Sequence, residues 1–193
     1  MALTSQEIAG SEATSRRRQN RQVRTRELIG ATAKFLRAPD GPRIAVLDSG
    51  GWDTHANQGA ATGSLANKLR DLDESLGEFR QSMGPAWANT VVAVVTEFGR
   101  TVRVNGTRGT DHGTAGAAML LGGGVKGGRV IADWPGLKPD NLYEGRDLLP
   151  TTDLRAVFKG LLHQQWDISG RTLDREVFPD SGKIKPLEDL VKA

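Results

Sequence analysis

Apolar residues recur along this chain in two distinct patterns. Leu65, Leu69, Leu72, Leu76 and Phe79 are spaced alternately four and three apart, the signature of an amphipathic helix, and Gly84-Pro85 stops it. Leu154, Val157, Phe158, Leu161 and Leu162 repeat the pattern nearer the C-terminus, with Thr151 or Thr152 placed to cap that helix. Elsewhere the apolar residues form short continuous runs, as expected of buried strands: Arg43–Leu47, Thr90–Thr96, Ala117–Leu121 and Arg129–Ala132. Strand, helix and strand over residues 43–96 make a βαβ unit, which predicts two parallel strands joined by a right-handed crossover.

Residues 5–37 read as helix in two pieces, the second carrying Leu28, Ile29, Phe35 and Leu36 and ending before Pro39-Asp40-Gly41-Pro42. The division is then a helical N-terminal segment, residues 1–40, and an α/β unit over 41–193 built on a partly parallel central sheet flanked by helices. Gly122-Gly123-Gly124-Val125-Lys126-Gly127-Gly128 lacks the Lys and the following helix of a phosphate-binding loop, so it is expected to be a flexible turn.

Composition narrows the class. With 193 residues, 37% of them hydrophobic and 25% charged, the chain is ordinary for a globular domain that buries a core. No apolar run reaches the roughly 18–20 residues a membrane-spanning helix needs. The absence of Cys excludes disulfides, a thiolate nucleophile and Cys-ligated zinc. The start, Met1-Ala2-Leu3-Thr4-Ser5, carries no apolar signal-peptide core, and the compartment stays open. Net charge is only +3, with Arg16–Arg18, Arg21, Arg24 and Arg26 clustered together. Nothing aromatic interleaves that cluster to stack on bases, so nucleic acid is not an expected partner and a solvated helix face is the simpler reading.

The chemistry concentrates in two acid–histidine clusters. They are Asp53-Thr54-His55 and Asp111-His112, and they hold two of the chain's three histidines. Imidazole and carboxylate together form a ligand set for zinc, manganese or iron, although Asp and His are also common in loops. Asp48 and Glu97 stand at the C-terminal ends of the first two predicted strands, the edge where open α/β sheets carry their sites. Arg100, three residues beyond Glu97, either contacts an anionic substrate bidentately or pairs with Glu97 or Asp111. Trp52 either walls a pocket or packs under the loop that aims Asp53 and His55. His163, on the late helix with no acid nearby in sequence, reads as structural.

Val46–Gln58, Thr96-Glu97-Phe98-Gly99-Arg100-Thr101, Gly109-Thr110-Asp111-His112-Gly113 and Leu121–Gly128, in that order, resemble the domain of unknown function 1501 family, whose members are often called sulfatase-like. The resemblance covers roughly residues 43–180. More remotely, that family is similar to the alkaline phosphatase and sulfatase superfamily. The resemblance implies an alkaline phosphatase-like fold and a metal-dependent hydrolase of phosphate or sulfate esters, with a small anionic ester as substrate. It implies Asp53, His55 and His112 as ligands of one divalent ion, zinc first, with calcium, manganese or magnesium as alternatives. Asp48, Glu97 and Asp111 would be second-site or supporting carboxylates, and Arg100 the catalytic cation. Two departures stand out. The superfamily's histidine after the second strand is absent, because Thr96-Glu97-Phe98-Gly99-Arg100 stands in its place. The nucleophile-bearing N-terminal strand has no counterpart before Ile44, so the chain resembles the C-terminal half of such a protein, its N-terminal half missing or supplied by a second chain. The other reading is a non-catalytic metal- or anion-binding interaction module.

Overall fold

A computed structural model gives the structure of the chain and describes residues 27–192. The helix expected before residue 27 and the Arg16–Arg26 cluster lie outside the described residues. The fold is mixed, with helices and short strands in two small antiparallel sheets. Its contacts group into two units. One comprises the described residues up to Asp53 together with Gly59–Ala86, and the other comprises Thr54–Gln58 with Trp87 onward.

The first unit is helical. Helix α1, residues 27–37, buries Ile29 and Ala33. Helix α2, Ser64–Met83, follows the leucine periodicity, but its fully buried residues are Phe79 and Met83 at its C-terminal end. There the Arg37 guanidinium donates to the Ser82 carbonyl at 2.9 Å and ties the two helices together. Residues 43–53 form no strand. Ile44 is 61% exposed and Val46 91%, so the run that reads as a buried strand is neither buried nor paired. The parallel βαβ sheet expected over residues 43–96 is therefore not present among the described residues. A strand exists only through a ladder, and an apolar run cannot supply its own partner.

In the second unit, strand β1 (Val92–Val94) and strand β4 (Met119–Leu121) form from the two best strand-like runs. They pair antiparallel in the register Val92↔Leu121, Ala93↔Leu120, Val94↔Met119. Strand β2 (Gly99–Arg100) and strand β3 (His112–Gly113) make the other sheet, also antiparallel. The glycine run after β4 is tied on both sides rather than loose. The Gly123 and Gly124 amides donate to the Trp87 and Thr90 carbonyls, Lys126 to Leu190, and Lys192 back to Gly124. Gly122 needs to be glycine: its φ is +135°, and a Cβ there would sit 1.9 Å from the Thr90 oxygen.

Helix α3, Leu154–Trp166, is capped by Asp153, whose carboxylate accepts from the Arg155 amide, and not by Thr151 or Thr152. It buries Ala156, Lys159, Gly160 and Leu161. Leu142, Leu173, Leu190 and Val125 complete the core of this unit. Lys159 is fully buried, and its ammonium donates to the Asp174 carboxylate at 2.5 Å and to the Ser181 and Ile184 carbonyls at 2.7 and 3.1 Å. All three of its protons are thereby satisfied, as a buried ammonium requires. No helix among the described residues is long and apolar enough to cross a membrane.

Candidate metal centre

The segment Thr54–Gln58 runs antiparallel to Thr107–Thr110. The Asn57 and Gln58 amides donate to the Thr107 and Arg108 carbonyls, and the Thr110 amide donates to Thr54. Such close approach requires Gly109, since a Cβ there would lie 2.2 Å from the His55 carbonyl. One amide oxygen closes the pairing from the side: Gln58 Oε1 accepts from the hydroxyls of both Thr54 and Thr110, each at 2.8 Å. His55 is thereby carried to the start of β3. Across the β2–β3 ladder Arg100 faces His112, while the Thr101 amide donates to the Asp111 carbonyl and the Thr101 hydroxyl accepts from the Asp111 amide.

At this junction the Nε2 atoms of His55 and His112 stand 3.1 Å apart. Asp53 precedes the paired segment by one residue. Its carboxylate and the two imidazoles place one ligand atom each within 4.8 Å of one another. Two nitrogens bound to one tetrahedral zinc, each about 2.0–2.1 Å from it, stand about 3.3 Å apart. The spacing of the two imidazoles fits that demand.

The His55 Nδ1 lies 3.2 Å from Asp111 Oδ1. A carboxylate only accepts, so in the neutral ring Nδ1 carries the proton and Nε2 keeps its lone pair, the tautomer a metal ligand needs. Asp111 therefore serves His55 from behind. The Asn105 amide, also on Oδ1 at 2.9 Å, then His55 and the nearby Arg100 charge hold the Asp111 carboxyl below the usual carboxylate range against a smaller opposing effect of desolvation. His112 stacks against Phe98, ring centres 4.3 Å apart.

The sequence-derived candidates thus separate. Among the described residues, Asp53, His55 and His112 bring their ligand atoms together, and Asp111 sits on the far nitrogen of His55. Asp48 and Glu97 are exposed and are not part of the grouped ligand atoms. Arg100 donates through Nη1 to the Thr110 carbonyl at 3.1 Å. Trp52 donates to the Ser49 hydroxyl at 3.2 Å, within the first unit. His163 donates from Nδ1 to the Ile168 carbonyl at 3.0 Å, a local tie beyond the end of α3.

Several residues that build the site carry no acid–histidine signal. Asn105 and Gln58 are its amide hubs, and Phe98 supports His112. Asp147 is almost fully buried, ion-paired with Arg146 at 2.9 Å, and accepts from Thr114 two residues beyond His112. Asn105-Gly106 is at least visible in the sequence as a turn pair.

A mixed fold of short antiparallel strands and helices, with an Asp–His–His cluster at a strand junction, is the class this structure defines. Over residues 4–177 the sequence matches the family described as Protein of unknown function (DUF1501), and the chain belongs to that family. Comparison with curated proteins and with solved structures gave no match.

Proposed function

We propose that Asp53, His55 and His112 hold one divalent metal ion, zinc before calcium, manganese or magnesium, and that the centre serves hydrolysis of phosphate or sulfate esters. The observation that carries the reading is the 3.1 Å approach of the two Nε2 atoms beside the Asp53 carboxylate. Two neutral imidazoles facing each other this closely take either an N–H···N hydrogen bond or a cation between them, and the Asp53 carboxylate beside them favours the cation.

A divalent ion would supply charge neutralisation and polarisation of an ester oxygen. The protein's own part is to orient the imidazoles: Asp111 keeps the proton on His55 Nδ1, and Phe98 backs the His112 ring. Arg100, opposite His112 in the ladder, contributes positive charge for an anionic ester. The remote likeness to alkaline phosphatases and sulfatases supports this substrate class, and the nucleophile is assigned to no residue of this chain. The exposure of Asp53 and His112 favours a second reading, a metal-stabilised interaction module.

The test is metal content of the purified chain after zinc loading, with turnover of aryl phosphate and aryl sulfate monoesters. One ion per chain, lost in His55→Ala and in His112→Ala, with metal-dependent turnover, is the expected result. No bound ion in the wild type, or full occupancy in both histidine variants, defeats the proposal. Binding without turnover keeps the metal centre and removes the hydrolase reading for this chain by itself.

A further inference from the structure

We infer that Asn105 is a positioning residue of the metal centre, setting the tautomer and direction of His55 through Asp111. The inference rests on the metal reading above for its purpose, but its geometry is independent of any ion.

Asn105 uses both ends of its amide. The oxygen braces its own loop, accepting from the Thr107 amide at 3.0 Å and the Gly109 amide at 2.9 Å, while the Thr107 hydroxyl, 2.9 Å away, lies closer to the His55 carbonyl at 2.6 Å. Two backbone amides on one side fix which way the Asn105 amide points, so the nitrogen faces outward. That nitrogen donates to Asp111 Oδ1 at 2.9 Å and to the His55 carbonyl at 3.0 Å. The loop turn needs neither bond. Both are directed at the residues that prepare the imidazole.

The anchor matters because Asp111 is exposed. Its side chain is 57% accessible, and a carboxylate so placed is free to turn toward water. The same oxygen that receives Asn105 receives His55 Nδ1, so one amide donor holds in place the acceptor that selects the imidazole tautomer. The second bond, to the His55 carbonyl, is shared with the Thr107 hydroxyl, so the bond to Asp111 is the one Asn105 makes alone from this loop. Hydrogen-bond partners of metal-bound histidines typically govern metal affinity by 10–100-fold. Asn105 stands one bond further out and controls such a partner.

The experiment uses the full chain labelled with ¹⁵N-histidine, with the His55 ring signals assigned through His55→Ala. Ring-nitrogen shifts of the metal-free protein report the tautomer, and competition with a chromophoric chelator reports zinc affinity. The variants are Asn105→Ala and, as a control on the same loop, Val104→Ala, whose side chain is exposed. Wild-type His55 is expected as the Nδ1–H tautomer. Asn105→Ala is expected to shift it toward Nε2–H and to weaken zinc binding by about 10-fold or more. Val104→Ala is expected to change neither. An unchanged His55 tautomer in Asn105→Ala overturns the inference, as does an equal shift in Val104→Ala. If the wild type binds no zinc while Asn105→Ala still moves the tautomer, the metal reading falls and the positioning role stands.

Discussion

His55 meets Asp111 through Nδ1 at 3.2 Å and His112 through Nε2 at 3.1 Å, so one imidazole is held between a carboxylate and a second imidazole. This arrangement sorts the acidic residues by role. Asp53→Ala should weaken zinc binding by removing a ligand. Asp111→Ala should weaken it by freeing the His55 ring, typically 10–100-fold. Asp48→Ala and Glu97→Ala should leave it unchanged. Parallel zinc titrations of the four variants check this, and strong loss in Glu97→Ala would redraw the site.

Gly109 provides a steric test of the same junction. An added methyl would meet the His55 backbone at 2.2 Å, with no flexible side chain to yield. Gly109→Ala is expected to cost about 1–3 kcal/mol in denaturant unfolding through overpacking. It should also abolish zinc binding by displacing the Thr54–Gln58 segment. Unaltered zinc affinity would mean that the pairing tolerates that displacement.

Lys159 is the most deeply buried charge among the described residues. Lys159→Met removes the donor from Asp174 and from two main-chain carbonyls. The expected loss is about 3 kcal/mol, tempered by the partial exposure of Asp174. Urea unfolding measures it. Zinc affinity should stay at the wild-type value, because no residue of the centre contacts Lys159.

Asp147 gives a defined acid sensitivity. Burial alone would raise its carboxyl, but hydrogen bonds from Arg146 and Thr114 and the Arg146 charge outweigh burial, and the net shift is downward. A carboxyl with a folded pKa below its unfolded value of about 3.9 contributes stability above that pH. That contribution is lost as pH falls through the folded value. The wild type should therefore lose more stability than Asp147→Asn between pH 5 and pH 3, read from urea midpoints. Equal losses would remove Asp147 from the acid response.

Much of the local structure was legible in the sequence. The leucine spacing located α2, the valine run located β1, and the late stripe located α3. The rarity of histidine located the candidate centre. What the sequence left hidden depends on partners far along the chain. Residues 43–47 have a strand's composition but no ladder, and Val46 stands 91% exposed. Asp111 reads as a second-site or supporting carboxylate, and it is the Thr101–Asp111 register, invisible in the sequence, that puts its carboxylate at the back of His55. Gln58 and Asn105 bridge positions about fifty residues apart, and no periodicity encodes such a bond.

The glycine run over 122–128 has a consequence for handling the protein. Its amides and carbonyls are shared with Leu190 and Lys192, and Asp189 binds both Lys126 and Arg129. The last residues thus act as a clasp over a loop whose composition alone would leave it slack. Ending an expression clone at residue 185 would release the clasp and unsettle the loop that follows β4 in the β1–β4 ladder.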